Sequence, residues 1–400
     1  MKNNFPQDFL WGAATSSHQV EGGNVNNDWY QAEQQGRIPK AGLACDSYHR
    51  FEGDFDLAAS LGHNCHRLSL EWSRLEPTEG HFDQAEFDHY KIVLQSLRRH
   101  HLKSFVTLWH FTTPIWFTLS LSKGWENKRS VEYFRRYAEK CAREFGDLVD
   151  FWAPFNETTI YGFEGYLEGK WPPFKKGNYL SCLRFIWTQI KAHKAVYEAI
   201  KKLLPEAKVG PAINFCSFEP YRPGNLLDCA ATWLNSTLYN KVMMIATKNY
   251  SDYIGCNYYF HKHVMFKLRA SKLFLADNIP NSLWVNDLGW EIYPRGIYEV
   301  LTDLKSYGKP IYITENGLAD SHDVSRRRLI EETLTWVQQA MSEGANVRGY
   351  IQWALIDNYE WSEGFGPRFG LIAVDYEHDL KRTVRPSALW FRDKILSFRA

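Results

Sequence analysis

Short apolar runs rich in β-branched and aromatic residues recur along the chain, each followed by a helical pattern. This alternation limits the fold more than any other feature. The runs lie near residues 9–14 (FLWGAA), 65–70 (CHRLSL), 104–110 (SFVTLWH), 150–156 (DFWAPFN), 208–215 (KVGPAINF), 252–259 (DYIGCNYY), 310–315 (PIYITE) and 348–355 (RGYIQWAL). Between them, DQAEFDHYKIVLQSLRRHH opens on an aspartate suited to N-capping, and RSVEYFRRYAEKCAREFG ends at Gly146, where a C-cap is expected. Eight strands, mostly apolar on both faces and alternating with helices, predict an α/β protein: a single closed (β/α)8 barrel of the TIM type over residues 1–400. A doubly wound open sheet is the structural rival. Its nucleotide-binding form carries a glycine-rich turn after the first strand, whereas GAATSSHQVEGG has no G-x-G-x-x-G and no P-loop.

Bulk properties exclude several partners. A chain of 400 residues, 44% hydrophobic and 23% charged, has an ordinary globular composition. Its formal net charge of +1 gives no field for nucleic acid or an anionic membrane, and the arginines of SRRRLIEE are followed at once by acids, as on a solvated helix face. No run reaches the roughly 18 apolar residues of a membrane span, and MKNNFPQDFLWG has no apolar signal core. Seven scattered cysteines without a Cys-x-x-Cys pair fit reduced, buried thiols in a cytoplasmic protein. Aromatic content is the unusual number: 16 Trp, 22 Tyr and 25 Phe suit both a large core and a cleft that lays flat rings against sugars.

In such a barrel the active site lies at the C-terminal strand ends, and those ends carry the unusual polar residues. The first run leads to His18 and Gln19, the third ends at His110, and the fourth at Asn156-Glu157. The sixth carries Asn257 and Tyr259, the seventh ends at Glu315-Asn316, and the eighth leads through Trp353 to DNYEWSEG. The fourth and seventh strands face each other across the ring, so Glu157 and Glu315 flank its mouth, as two carboxylates do in glycosidic bond cleavage. Adjacent strand residues point to opposite sides, so Asn156 and Glu157 share a pocket only if the strand ends or bulges there. Glu71, with arginines nearby in LSLEWSRLEP, is expected in a structural ion pair, and Glu21 either lines the pocket or caps a turn. No metal site is expected: His261 and His263 alternate without a third ligand in register, and H-E-x-x-H is absent, as is the G-x-S-x-G of serine catalysis.

The ordered set FLWGAATSSHQVEGG, HRLSLEWSRLEP, TLWHFTTPIWF, FNE, GCNYY, YITENG and WALIDNYEWSEGF resembles glycoside hydrolase family 1, the family of retaining β-glucosidases and β-galactosidases. The resemblance runs from Phe9 to about Pro386. It implies that Glu157 is the acid/base and Glu315 the nucleophile, and that no cofactor is needed. Gln19, His110, Asn156 and Glu360 match positions binding glycone hydroxyls; Trp353 and Trp361 match glycone-contacting tryptophans, and Phe369 a pocket-wall aromatic. Arg67, Asn257 and Tyr259 match groups around the nucleophile. From the residues alone, the aromatic positions equally suit a core and Arg67 a buried structural cation.

Three departures stand out. Thr158 replaces the family's usual proline; proline there would hold Glu157 extended, and β-branched threonine favours extended geometry less rigidly. Phe111 stands for a tryptophan and removes an indole N–H. Little sequence separates Asn214 from Tyr253, which implies a reduced rim loop and a more open aglycone side. The expected activity is hydrolysis of small or oligosaccharide β-glycosides, with glucose as glycone and galactose or fucose also accepted. A phospho-β-glycosidase, which Glu360 would oppose by repelling phosphate, and a catalytically silent sugar-binding barrel are the alternatives.

Overall fold

The computed structural model describes residues 5–120, 124–267, 276–278 and 284–399. Its strands are β1 (Leu10–Ala14), β2 (Cys65–Ser69), β3 (Lys103–Trp109), β4 (Phe151–Phe155), β5 (Lys208–Val209), β6 (Ala212–Pro220), β7 (Ile254–Phe266), β8 (Ala276–Asn278), β9 (Ile311–Asn316), β10 (Val347–Trp353), β11 (Ile372–Asp375) and β12 (Lys381–Val384). Pairing runs β5-β4-β3-β2-β1-β10-β9-β7-β6. The two ends of that path are separated in sequence only by Gly210 and Pro211, so the parallel sheet closes on itself as a (β/α)8 barrel. The fifth barrel strand is therefore two pieces rather than one run over 208–215. Pro211 has no N–H to give the ladder, and Gly210 N donates to Trp152 O at 3.0 Å where the strand leaves β4. β7 extends well past its expected end, to Phe266.

Alternation along each strand sorts lumen from shell. Leu10 and Ala14 join Cys65, Phe105, Phe151, Tyr253 and Tyr312 inside the barrel, while Trp11 and Ala13 pack outward against the helices. Phe105 and Phe151, neighbours in register, stack at 4.0 Å between centroids, with Tyr312 edge-on at 5.3 and 5.0 Å. This aromatic floor fills the bottom of the lumen and leaves its polar groups to the C-terminal mouth.

Asp83 caps the helix Gln84–Arg99 as expected, its Oδ1 accepting from Ala85 N at 2.9 Å and Glu86 N at 3.3 Å. Gly146 is not the left-handed cap expected after Ser130–Phe145. Its φ is −52°, and a Cβ there would stand 2.8 Å from Leu204 Cδ1, so close packing explains the glycine. SRRRLIEE is not wholly solvated either: Arg326 is buried, donating to Asp320 O at 2.9 Å and Arg368 O at 2.8 Å, while Arg327 and Arg328 are exposed. All seven cysteines are unpaired, and all but Cys229 are buried. Among the described residues, no helix is long and apolar enough to cross a membrane.

Candidate active site

Two local irregularities aim the glutamates. β4 stops at Phe155, and Glu157 takes the left-handed conformation, φ 42° and ψ 50°. Its N–H donates to Ala212 O at 2.8 Å. The reversal breaks strand alternation, so Asn156 and Glu157 both line one cavity. Thr158 then opens the helix Thr158–Tyr166, with its hydroxyl on Gln189 Oε1 at 3.3 Å. The extended geometry expected here does not occur, because the chain must turn from strand to helix within one residue. On β9 the register against β7 steps from Cys256–Ile313 to Asn257–Glu315. Thr314 is the extra residue of a bulge, and Glu315 is thereby turned into the same cavity, whose volume is about 360 Å³.

Arg67, buried on β2, fixes the hydrogen-bond pattern because a guanidinium only donates. It gives Nη1 to Glu315 Oε1 and Nη2 to Asn156 Oδ1, the latter at 2.7 Å. Asn156 Nδ2 must then face His110 Nε2, at 3.1 Å. Asn257 Nδ2 donates to Asn156 Oδ1 at 3.1 Å and to Glu157 Oε1 at 2.8 Å, and its Oδ1 accepts from Thr314 Oγ1 at 2.7 Å. Asn214 Nδ2 adds a second bond to Glu157 Oε1 at 3.0 Å. Tyr259 OH donates to Glu315 Oε2 at 2.8 Å.

The two carboxyls therefore differ. Glu315 accepts on both oxygens, once from a cation. Glu157 accepts neutral amides on Oε1 alone. Burial, then repulsion from Glu315, push the Glu157 carboxyl up to about 8, against the lowering effect of Asn214 and Asn257. Burial and the charge of Arg67 hold His110 well below the usual imidazole range, so it is neutral.

The opposite wall is aromatic and carries the third carboxyl. Trp353, Trp361, Phe369, Phe111 and Glu360 line the cavity. Glu360 accepts from Gln19 Nε2 at 3.3 Å, and burial followed by repulsion from Glu315 and Glu157 pushes it up to about 8. Trp361 lies 6.0 Å from His110, near parallel, and Phe111 meets it edge-on at 5.1 Å.

Of the residues singled out from sequence, Glu157, Glu315, His110, Asn156, Tyr259, Trp353, Glu360, Trp361 and Phe369 line the cavity. Gln19, Arg67 and Asn257 stand behind it, bonded to residues that do. His18 and Asn316 do not belong: His18 faces Glu33 at 3.2 Å, and Asn316 Nδ2 donates to Tyr258 O at 2.7 Å. The ion pair expected of Glu71 is absent among the described residues. Hydroxyls serve it instead, Ser73 Oγ at 2.7 Å, Thr112 Oγ1 at 2.8 Å and Ser17 Oγ at 3.1 Å. Glu21 does not line the cavity; it is the C-cap of the short helix Ser17–Val20, its N–H donating to Ser17 O at 2.9 Å, while its side chain pairs with Arg74 at 3.0 Å and accepts from Tyr90 OH at 2.7 Å.

Sequence reasoning missed Asn214. Its one signal was an amide inside the apolar run PAINF, whose burial demanded a partner. Tyr239, from a single π-helical turn Thr237–Lys241, donates to its Oδ1 at 2.8 Å and sets its orientation. The interval between Asn214 and Tyr253 thus holds two helices, Leu226–Ser236 and Val242–Thr247, around that turn. Also missed are Trp171, Trp290, Glu164, Lys170 and Lys262 toward the cavity mouth.

A parallel barrel whose strand ends bring two carboxyls into one cavity, one of them paired with a guanidinium, between aromatic walls has the arrangement that glycosidic bond cleavage uses. Comparison with known proteins reaches the same class. The model of Glycosyl hydrolase family 1 matches residues 1–247 and 237–397. The chain is 30% identical to β-glucosidase A of Thermotoga maritima over 444 aligned residues, covering 98% of this chain and 97% of that protein. It is 29% identical to a 6-phospho-β-glucosidase of Bacillus subtilis, with 97% of each covered. The solved β-glycosidase from Pyrococcus horikoshii superposes with a TM-score of 0.94 at 36% identity, covering 100% of this chain and 96% of that one. The chain belongs to glycosyl hydrolase family 1, and it is an enzyme, a β-glycosidase.

Proposed function

We propose that the protein hydrolyses terminal β-D-glucosides, with β-galactosides or β-fucosides also accepted, by double displacement through a covalent glycosyl-enzyme. Residues 1–400 act as one catalytic barrel, and the unpaired cysteines suit a reducing cytoplasm. The observation that carries the reading is the asymmetry of the two carboxyls. Glu315, bonded to Arg67 and Tyr259, is the nucleophile that attacks the anomeric carbon. Glu157 protonates the departing oxygen. Once Glu315 is esterified its repulsion of Glu157 disappears, the Glu157 carboxyl falls in pKa, and it takes a proton from the incoming water. No step requires a cofactor. His110, Asn156 and Glu360 bind glycone hydroxyls, Gln19 holds Glu360 from behind the cavity wall, and Trp353 and Trp361 carry the ring. A phospho-β-glycosidase is disfavoured because Glu360 would present a buried carboxyl to the phosphate, and a silent barrel because both glutamates are kept, each held by hydrogen bonds in the cavity.

The pH dependence tests this division. Glu157 must be protonated for glycosylation, so kcat/KM should be lost as pH rises through about 8. Glu157→Gln should remove that alkaline limb. Glu360 is also pushed up to about 8, so Glu360→Gln is the needed control and should keep the limb while raising KM. A limb that vanishes in Glu360→Gln and persists in Glu157→Gln would move the acid to Glu360.

Asn214 provides a finer test. Its hydrogen bond favours the charged form of Glu157. Asn214→Ala should therefore move the alkaline limb upward and lower kcat by less than about tenfold, or roughly 1.4 kcal/mol in barrier. A limb that stays in place or moves to lower pH would remove Asn214 from the account of Glu157.

A further inference from the structure

The far face of β7 carries a cluster that hydrolysis does not use. Phe260 and Lys262 line the cavity, and His261 and His263 alternate with them along the strand, so both imidazoles leave by the opposite face. β6 pairs with Ser217 opposite His261 and Glu219 opposite His263. The register thus supplies the third group that the sequence pattern lacked. Glu219 Oε2 stands 3.7 Å from His261 Nε2, and Tyr293 OH donates to Glu219 Oε1 at 3.3 Å. One donor atom from each of Glu219, His261 and His263 lies within 4.8 Å of the other two. Glu291 Oε2 approaches His261 Nδ1 at 3.4 Å and His263 Nε2 at 3.8 Å.

His261 is the residue that folding alone explains least. It is only 8% exposed, and among the described residues neither ring nitrogen has a hydrogen-bond partner. A buried imidazole that has only two misaligned or distant carboxylates, Glu291 at 3.4 Å and Glu219 at 3.7 Å, is costly. Its plane is nevertheless held, stacked on Tyr293 at 3.9 Å between centroids and 17° between planes. The 3.7 Å gap to Glu219 is long for a hydrogen bond. It is close to the edge of a coordination tetrahedron, about 3.3 Å when metal–ligand bonds are about 2.0–2.1 Å.

We propose that Glu219, His261 and His263 bind a divalent transition metal of the zinc class. His261 coordinates through Nε2, and Glu291 accepts from its Nδ1–H and fixes the ring, as outer carboxylates do for metal-bound histidines. Two imidazoles and a carboxylate suit zinc rather than magnesium or calcium, which prefer all-oxygen cages. Three protein ligands leave a fourth position for water. Glu291 directly follows Trp290, which lines the substrate cavity, so the ion ties that wall of the cleft to β7.

The test is calorimetric titration of the EDTA-stripped, full-length protein with zinc chloride, with cobalt(II) visible absorption reporting the coordination geometry. One zinc per chain is expected. Glu219→Gln, at a half-exposed side chain that folding does not need, and His263→Asn should each weaken zinc at least tenfold. Glu291→Gln should weaken it by about 10–100-fold, the range for outer carboxylates. Hydrolysis of an aryl β-glucoside by the metal-free Glu219→Gln protein shows that the variant is folded. Absence of zinc binding in the wild type, or equal affinity in wild type and both ligand variants, overturns the proposal.

Discussion

Replacing Glu315 with alanine should cut turnover of every β-glycoside by at least about 10⁴-fold, roughly 5.5 kcal/mol in barrier. In the proposed double displacement no covalent intermediate can form without that carboxylate. The loss should not depend on the leaving group, because the missing group is the attacking one. The variant also leaves buried Arg67 without its charged partner, which destabilises by about 3–5 kcal/mol where a pair is broken. Glu315→Gln keeps an oxygen for Arg67 and separates the two effects: it should fold more stably than the alanine variant and be equally inactive. Azide, small enough for the space left by alanine, should restore turnover and yield the α-glycosyl azide. A folded Glu315→Gln with more than about a hundredth of wild-type activity would mean that another group is the nucleophile.

Glu157→Ala should behave differently. Aryl glycosides with very acidic leaving groups need little protonation, so their glycosylation step should survive nearly intact. Poor leaving groups should lose about 10²–10⁴-fold, the usual contribution of a positioned general acid. Deglycosylation should slow for all substrates, since in the proposed mechanism Glu157 also activates water, and azide should then give the β-glycosyl azide. Opposite anomers from the two variants would separate the roles of the glutamates without kinetic modelling. Equal losses for good and poor leaving groups would contradict the assignment of Glu157 as acid.

The barrel was legible because strand and helix signals are local. Each β-run is short, apolar and bounded, and the polar residues at the run ends needed only the rule that barrel sites lie there. What could not be read was geometry set by distant backbone. The left-handed turn at Glu157 depends on its N–H finding Ala212 O across the closing strand, and the β9 bulge depends on pairing with both β7 and β10. Asn214 looked like part of a core strand until Tyr239 came from a turn remote in sequence. The sequence neighbours of Glu71 point to arginine partners, but a helix start and strand ends bring it three hydroxyls instead. Glu219 illustrates the same limit: its partnership with His263 exists only through strand register.

The most direct test is stereochemical. Proton NMR of the sugar released from an aryl β-glucoside should show the β-anomer first, with α-signal growing only as mutarotation proceeds. The proposed mechanism inverts twice, by attack of Glu315 and then of water activated by Glu157, and so requires that order. α-Anomer as the first-formed product would mean a single displacement by water, and Glu315 could not be the nucleophile.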